Sequence, residues 1–281
     1  MPYSEKSGLD ISITTRTECR EISITNAMTL GGNVCIRNGN KLDFCWRESV
    51  RSLLPVCDVV CICDGESDDG TQEEIREWMK SEPKIQLCVW PWPDPKGDNE
   101  FWVKWLNYAR THVKADWHFQ LDADEVLHEK SYDEIRSFIA AGHRRSGVVT
   151  RHNFWLDHKH TIQEGICLGK RVTRLAPQNV WMPSDGAHPD GAECVWMSVP
   201  TGIEIFHYGF IRKSDAFFEK ERLLQGYFFN SYDPRLERAE KKGGPWMDDP
   251  ELDPYHGHLD DYNGSHPAIM REWLEERGYW Q

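Results

Sequence analysis

The sequence predicts an α/β fold built on a doubly wound, mostly parallel sheet. Three observations carry that prediction. Strand-like and helix-like segments alternate from residue 33 to residue 126. The segment 56–63 is apolar but for Asp58, the pattern of a strand covered on both faces. Three strands run out into polar tips, at Arg37-Asn38, at 64–69 and at 122–125, and in such sheets ligands sit beyond the carboxyl ends of the strands.

Residues 1–30 are weakly patterned, with short alternations at 11–14 and 22–25 that suggest a peripheral hairpin. Asn33, Val34, Cys35 and Ile36 form a short buried strand followed by a turn. Residues 42–54 carry apolar side chains at helical spacing and stop at Pro55. The strand 56–63 ends in a polar loop, and 71–79 is an amphipathic helix with Ile75, Trp78 and Met79 on one face. A strand at 85–90, a loop at 91–98 and a helix at 101–113 lead to 116–126. There Trp117, Phe119 and Leu121 alternate with polar residues before the chain reaches Asp122-Ala123-Asp124. Two neighbouring carboxylates at a strand end repel unless a cation or donors share their charge, so this tip points to hard-metal binding.

The second half reads as a helix at 131–141, strands at 147–154 and 166–175, and an irregular loop at 181–196. A last strand at 203–206 ends in His207-Tyr208-Gly209. A helix from 215 to about 229, a surface tail over 233–267 and a closing helix at 267–277 complete the chain.

Composition narrows the function classes. The chain has 281 residues, a net charge of −13 and no basic stripe, which argues against nucleic-acid binding. No window approaches eighteen apolar residues, so no membrane span is expected. The first residues carry no apolar signal-peptide core. Nine cysteines, an odd number without zinc spacing, suggest reduced thiols in a cytoplasmic protein. The absence of Gly-x-Gly-x-x-Gly after the first strand and of a Walker loop excludes the common dinucleotide and P-loop folds. Thirteen tryptophans fit either a heavy core or sugar-stacking platforms.

Five motifs in order carry a family resemblance: Val34-Cys35-Ile36-Arg37-Asn38; Cys63-Asp64-Gly65-Glu66-Ser67-Asp68-Asp69-Gly70-Thr71; Lys104-Trp105-Leu106-Asn107; Leu121-Asp122-Ala123-Asp124-Glu125; and Phe206-His207-Tyr208-Gly209-Phe210-Ile211-Arg212 with Lys220. Together they resemble family-2-type glycosyltransferases of the GT-A fold, especially small bacterial enzymes related to lipopolysaccharide-core transferases. The resemblance implies a Rossmann-like sheet with helices on both faces over 31–230, with a nucleotide-binding half (31–126) and an acceptor half (127–230). It leaves 1–30 as a peripheral segment and 231–281 as a C-terminal helical and irregular extension. One departure stands out: the family's usual second Asp after Asp64 is Gly65 here.

The implied activity is metal-dependent, inverting transfer of a sugar from a nucleoside-diphosphate donor, UDP first, to a glycan or small-molecule acceptor. Breaking the glycosidic bond puts negative charge on the diphosphate, which Mn²⁺ or Mg²⁺ offsets. Asp124 is the expected direct metal ligand. Asp122 is expected on the ribose or a metal-bound water, and His207 as the residue that closes the metal site; a His among oxygen ligands favours Mn²⁺. Asp64 is expected to accept a nucleobase N–H. Arg37, Asn38, Lys104, Ala123, Arg212 and Lys220 are the other expected nucleotide-sugar contacts, and Ser67, Asp69 and Thr71 are structural. An inverting enzyme also needs a base for the acceptor hydroxyl. The carboxylates Asp185, Asp190 and Glu193 are the candidates, Asp190 first, with Glu164 behind them. Trp155, Trp181 and Trp196 fit either sugar stacking or core. His152, Asp157, His158 and His160 match no zinc signature and read as a polar hairpin tip. The alternatives are a sugar-nucleotide nucleotidyltransferase, which lacks its Gly-rich basic loop here, and a non-catalytic GT-A binding module.

Overall fold

The computed structural model describes residues 28–93, 98, 100–163, 170–180, 198–228, 234–241 and 258–279. The expected hairpin within 1–30 therefore lies outside the described residues up to 27, as does the 181–197 loop. The described chain is α/β. Its first half runs β1 (Leu30–Ile36), α1 (Trp46–Leu53), β2 (Val59–Asp64), α2 (Thr71–Trp78), β3 (Ile85–Val89), α3 (Phe101–Thr111) and β4 (Trp117–Asp122). These four strands are parallel in the order β3-β2-β1-β4.

From there the sheet becomes mixed. The chain continues with β5 (Glu125–Leu127), α4 (Tyr132–Ala140), β6 (Gly147–Trp155), β7 (His160–Ile162), β8 (Arg171–Pro177), β9 (Val199–Phe210), α5 (Ser214–Phe228), α6 (Pro234–Lys241), β10 (Leu259–Asp261) and α7 (Arg271–Glu275). Strand β8 joins antiparallel to both β4 and β6. Strand β9 pairs with β6 in parallel and with β5 antiparallel, setting Glu125 opposite His207.

The period-2 alternation sorts side chains onto two faces. Val34, Ile36, Val60, Ile62, Trp117, Phe119 and Leu121 share one core with α1, Ile75 of α2 and α4. Cys35, Cys61, Cys63 and Cys88 pack with α3 on the other face. Helices therefore cover both faces, which is why 59–63, after Asp58, reads as unbroken apolar sequence rather than as an alternation; β2 accordingly begins at Val59 and not at Val56.

Four differences from the sequence reading have physical causes. The helix expected at 42–54 begins only at Trp46, because Asp43 sits at φ 51° and 38–44 forms turns in which Leu42 and Phe44 donate to the Asn38 and Gly39 carbonyls. Strands β5, β7 and β10 are three residues each, too short to show a period. The 233–267 tail contains α6 and β10. His207, expected at a strand end, lies inside β9, a strand of twelve residues. The C-terminal segment also returns to the body of the fold. Met270, Trp273 and Leu274 are buried with Val126, Phe154, Phe206 and Tyr208, and β10 pairs with β7.

No described helix is long and apolar enough to cross a membrane. All six described cysteines are free thiols. Trp155, 1% exposed, is core rather than a sugar platform. His158 and Asp157 lie in the turn between β6 and β7, where Asp157 accepts from the Lys159 and His160 amides at 2.7 and 2.9 Å and pairs with His160 Nδ1 at the start of β7; His152, by contrast, lies inside β6 with its Nε2 2.9 Å from Glu204 Oε2.

Two neutral histidines are built into the interior. His118 Nδ1 lies 2.9 Å from Asn33 Nδ2 and its Nε2 meets Gln178 Oε1, so the ring is a neutral tautomer donating through Nε2. Burial, then the nearby Arg110, lowers its pKa to about 3. Burial lowers His266 to about 4. A base whose folded pKa is depressed adds stability above its unfolded pKa and loses it as pH falls toward the folded value. Stability should therefore fall between pH 6.5 and 4.5, above the range where ordinary carboxylates titrate. At about 1.4 kcal/mol per pKa unit the loss is on the order of 2 kcal/mol per histidine. Urea midpoints across this window check it; a flat profile contradicts it.

Candidate active site

The carboxyl ends of β1 and β4, the C-terminal part of β9 and the helix α5 enclose a cavity of about 540 Å³, within the usual range for small-ligand sites. Its floor carries Arg37, Asn38, Asp122, Ala123, Asp124 and His207, and Lys220 reaches it from α5. Its lining is rich in aromatic side chains: Trp92, Trp102 and Trp105 cluster together with Tyr227 6.1 Å from Trp92, and Phe44 and Phe210 also line it.

Asp124 is the electrostatic centre. Its Oδ2 is bound by the Arg212 guanidinium and lies 3.4 Å from Lys220 Nζ, while Oδ1 is 3.6 Å from His207 Nε2. Burial alone raises a carboxyl pKa, but Lys220, His207 and Arg212 overcome it and hold Asp124 well below the usual carboxylate range. Burial, helped by Arg151 and Lys220, lowers His207 to about 4, so its imidazole is neutral at pH 7 and able to act as a ligand. Arg212 is fixed by donating to the Gly209 and Leu42 carbonyls at 2.7 and 2.6 Å and by stacking on Phe44 at 4.1 Å. It does not line the cavity, so it positions Asp124 rather than touching a ligand directly. Lys220 does line it.

Asp122 is committed elsewhere. Arg174, 1% exposed and projecting from β8, donates to Asp122 at 2.7 Å and to Glu125 at 2.6 Å. Arg151, from β6, reaches Glu125 at 3.2 Å. Burial raises Glu125, but Arg174 and Arg151 outweigh it and lower its pKa. Asp122 moves the other way, upward, through loss of solvent and then through Glu125 and Asp124, against the pull of Arg174. Asp122, expected on the ribose, a metal-bound water or the metal itself, lines the cavity with Arg174 holding one of its two carboxylate oxygens.

Two further expected contacts are placed differently. Asp64 is fully buried and absent from the cavity lining. Its carboxylate accepts from the Ser67 amide at 3.0 Å, the Ser67 hydroxyl at 2.5 Å and Gln72 Nε2 at 2.6 Å. It shapes the loop after β2 through these three accepted hydrogen bonds. Lys104 faces away, paired with Asp98 at 2.8 Å and half exposed. The pair is exposed and screened by solvent, so Lys104→Ala should leave the unfolding midpoint and ligand binding unchanged; a large loss of binding by calorimetry contradicts this placement.

The expected structural residues act as predicted. Asp69 accepts from the Thr71 amide at 3.1 Å and the Lys41 amide at 2.8 Å, and buried Thr71 accepts from the Asn40 amide at 3.2 Å. Asn38, at φ 51°, ties the two loops together: its amide donates to Ser67 Oγ and its Oδ1 accepts from the Asp68 amide. Arg37 reaches the Gly65 carbonyl and stacks 4.4 Å over Trp92. That stacking explains Gly65, since a Cβ there would lie 2.6 Å from the Trp92 ring. Asp185, Asp190, Glu193 and Glu164 lie outside the described residues, as do Trp181 and Trp196.

Sequence reasoning missed Arg151, Arg174 and the tryptophan wall. A signal for the arginines exists: each interrupts an otherwise buried strand, and a charge in that setting needs a partner inside. For the tryptophans, helical spacing of Phe101, Trp102 and Trp105 shows a shared face but not that the face borders a cavity.

The fold and site together define an α/β protein with a cation-flanked acidic cleft at the carboxyl edge of a parallel sheet. No protein-family model matches the chain, and no curated protein matches it. Solved structures that resemble it include S. aureus TarS 1-349, at 12% identity and a TM-score of 0.42, over 71% of this chain and 65% of that one. Another is S. aureus TarS, at 13% and 0.43, over 71% of this chain and 39% of that one. A third is TarS 1-349 in complex with UDP-GlcNAc, at 12% and 0.46, over 71% and 66%. The chain thus spans about two thirds of the TarS fragment and 39% of the longer TarS chain. Likeness at this level transfers neither substrate nor chemistry.

Proposed function

We propose that the chain is a metal-dependent, inverting glycosyltransferase that takes a sugar from a nucleoside-diphosphate donor, UDP first, and passes it to a glycan or small-molecule acceptor. The observation that carries this reading is the meeting of Asp124, His207 and Lys220 in one cavity at the strand ends. A group with two negatively charged phosphates and a flat base fits a cavity with a cationic end and an aromatic wall.

The residues present suit a divalent ion. Asp124 keeps Oδ1 turned to His207 Nε2 at 3.6 Å, while Arg212 and Lys220 occupy its other oxygen. Gly209 leaves open the space between them: a Cβ there would meet His207 Nε2 and sit 2.9 Å from Asp124 Oδ2. One carboxylate and one imidazole, completed by phosphate oxygens and water, is a donor set for Mn²⁺ or Mg²⁺. Such an ion supplies Lewis-acid stabilisation of the leaving diphosphate. Lys220 adds a second positive charge facing the same group. Arg212 keeps Asp124 oriented, Arg174 keeps Asp122 at the cavity edge for a ribose or water contact, and Arg37 and Asn38 shape the base end beside Trp92. The acceptor proton is assigned to a carboxylate among Asp185, Asp190 and Glu193, Asp190 first. Free thiols on all six described cysteines support a reducing, cytoplasmic setting.

Gly209→Ala should weaken Mn²⁺-dependent UDP binding by about 10–100-fold, the scale for disturbing the support of a metal site, with the unfolding midpoint as a control; unchanged affinity contradicts the cradle. The function itself is tested by slow donor hydrolysis across a panel of nucleotide sugars with Mn²⁺. Release of UDP from one donor is expected, and indifference to every donor and metal overturns the reading.

A further inference from the structure

The C-terminal segment reaches the candidate site through one loop. Arg277 follows α7, and its guanidinium is fixed within its own segment. It stacks 3.5 Å from the centre of the Trp273 ring and donates to the Trp273 carbonyl at 2.9 Å. From there it pairs with Asp43, 234 residues away in sequence. The pair is largely buried, its side chains 8% and 14% exposed, so solvent screens it less than a surface pair.

Asp43 is more than an anchor for that arginine. It sits at φ 51°, a conformation that persists in a non-glycine residue when its surroundings hold it there. One carboxylate oxygen meets Arg277 and the other accepts from the Lys213 amide at 3.0 Å, at the entry to α5. The neighbouring Leu42 carbonyl accepts from Arg212 at 2.6 Å, and Phe44 carries the face of the same guanidinium. Lys41 pairs with Glu219 of α5. Residues 41–44 thus hold the start of α5 and Arg212, and Arg212 holds Asp124 Oδ2. Cys45, the next residue, shares a buried cluster with Met270, Trp273 and Leu274, so the loop is seated on the C-terminal segment at two points.

We propose that Arg277 is a positioning residue for this site: it fixes Asp43 and with it the 41–44 loop, the loop fixes Arg212, and Arg212 orients Asp124. Arg277 itself touches no ligand. A segment that merely tethered its own end would be served by any surface carboxylate. This one uses a carboxylate whose other oxygen holds the helix that carries Lys220 into the cavity. The link within the chain stands on these contacts; its effect on ion and nucleotide affinity rests on the function proposed above.

The test compares the full chain with Asp43→Asn, Arg277→Met and the two combined. Asn tolerates the left-handed backbone at 43 and still accepts from the Lys213 amide, while losing the charge that Arg277 meets. Hydrogen–deuterium exchange without ligand reads the link. Exchange should quicken in each single variant in the peptide covering 206–213, where the Tyr208 amide donates to the Asp124 carbonyl and the Ile211 amide to that of Tyr208. Calorimetric titration with UDP in Mn²⁺ reads the site. Affinity should fall about tenfold in each single variant, the lower end of the scale for disturbing the support of a metal site. The double variant should fall no further, because both changes break one link. Unchanged exchange at 206–213, unchanged affinity where exchange quickens, or losses that add in the double variant overturn the proposal. Quickened exchange in variants of a chain that binds no UDP even unaltered supports the positioning link and counts against the nucleotide reading.

Discussion

Replacing Asp124 with Ala is expected to reduce turnover by roughly 10²–10³-fold, the scale at which losing one pre-organised electrostatic group acts on a reaction centre. The same change removes the carboxylate that sits against Arg212, 1% exposed, and Lys220, 13% exposed. Two positive groups then face each other in a buried site with no countercharge between them. Removing one partner of a buried ion pair costs about 3–5 kcal/mol, so stability should fall along with activity. Asp124→Asn separates the two effects, because it keeps the volume and part of the hydrogen bonding but not the charge. It should recover some stability while staying inactive. Urea unfolding and donor hydrolysis on both variants check this. An active Asp124→Asn variant would remove Asp124 from the chemistry.

The second large effect belongs to Glu125, which touches no expected ligand. It is fully buried and serves Arg174 at 2.6 Å, Arg151 at 3.2 Å and the Asp122 amide at 3.1 Å. Glu125→Ala should destabilise the fold by about 3–5 kcal/mol, since two buried guanidiniums lose their shared carboxylate. Asp122 should lose its orientation with them, because Arg174 bridges both acids. Glu125→Gln should be milder. The pH dependence has a definite sign. Glu125 has a folded pKa below its unfolded one, so its contribution is present above about pH 4.3 and is lost as pH falls through the folded value. The acid limb of the stability curve should therefore be shallower in Glu125→Gln than in the parent chain. A change under about 1 kcal/mol in Glu125→Ala would contradict the network.

Much of the architecture was legible because the parallel strands carry apolar residues on both faces and the helices between them carry one apolar stripe. That pattern located β1 to β4 and α1 to α3 and put the three polar tips at one edge. The contacts made by those tips were less legible. Asp64 and Asp122 have the same residue type at similar strand ends, yet Ser67 and Gln72 hold one and Arg174 holds the other. Those partners lie 3 and 8 residues from Asp64 but 52 from Asp122, so only the first set was within reach of local reasoning. Lys104 shows the opposite limit: helical position fixes the face of a side chain but not whether a nearby acid, here Asp98, claims it. Gly65 and Gly209 were visible as glycines, and their purpose became plain only once Trp92, and His207 with Asp124, stood against them.

The central claim is that Asp124 and His207 form a divalent-ion site that shares a nucleoside diphosphate with Lys220. Calorimetric titration of the full chain with UDP, in Mn²⁺ and again in excess chelator, tests it most directly. The account predicts one site per chain, with affinity lost on chelation and absent in Asp124→Ala under conditions where that variant is folded. Equal affinity with and without the metal, or no UDP binding in either, would contradict it.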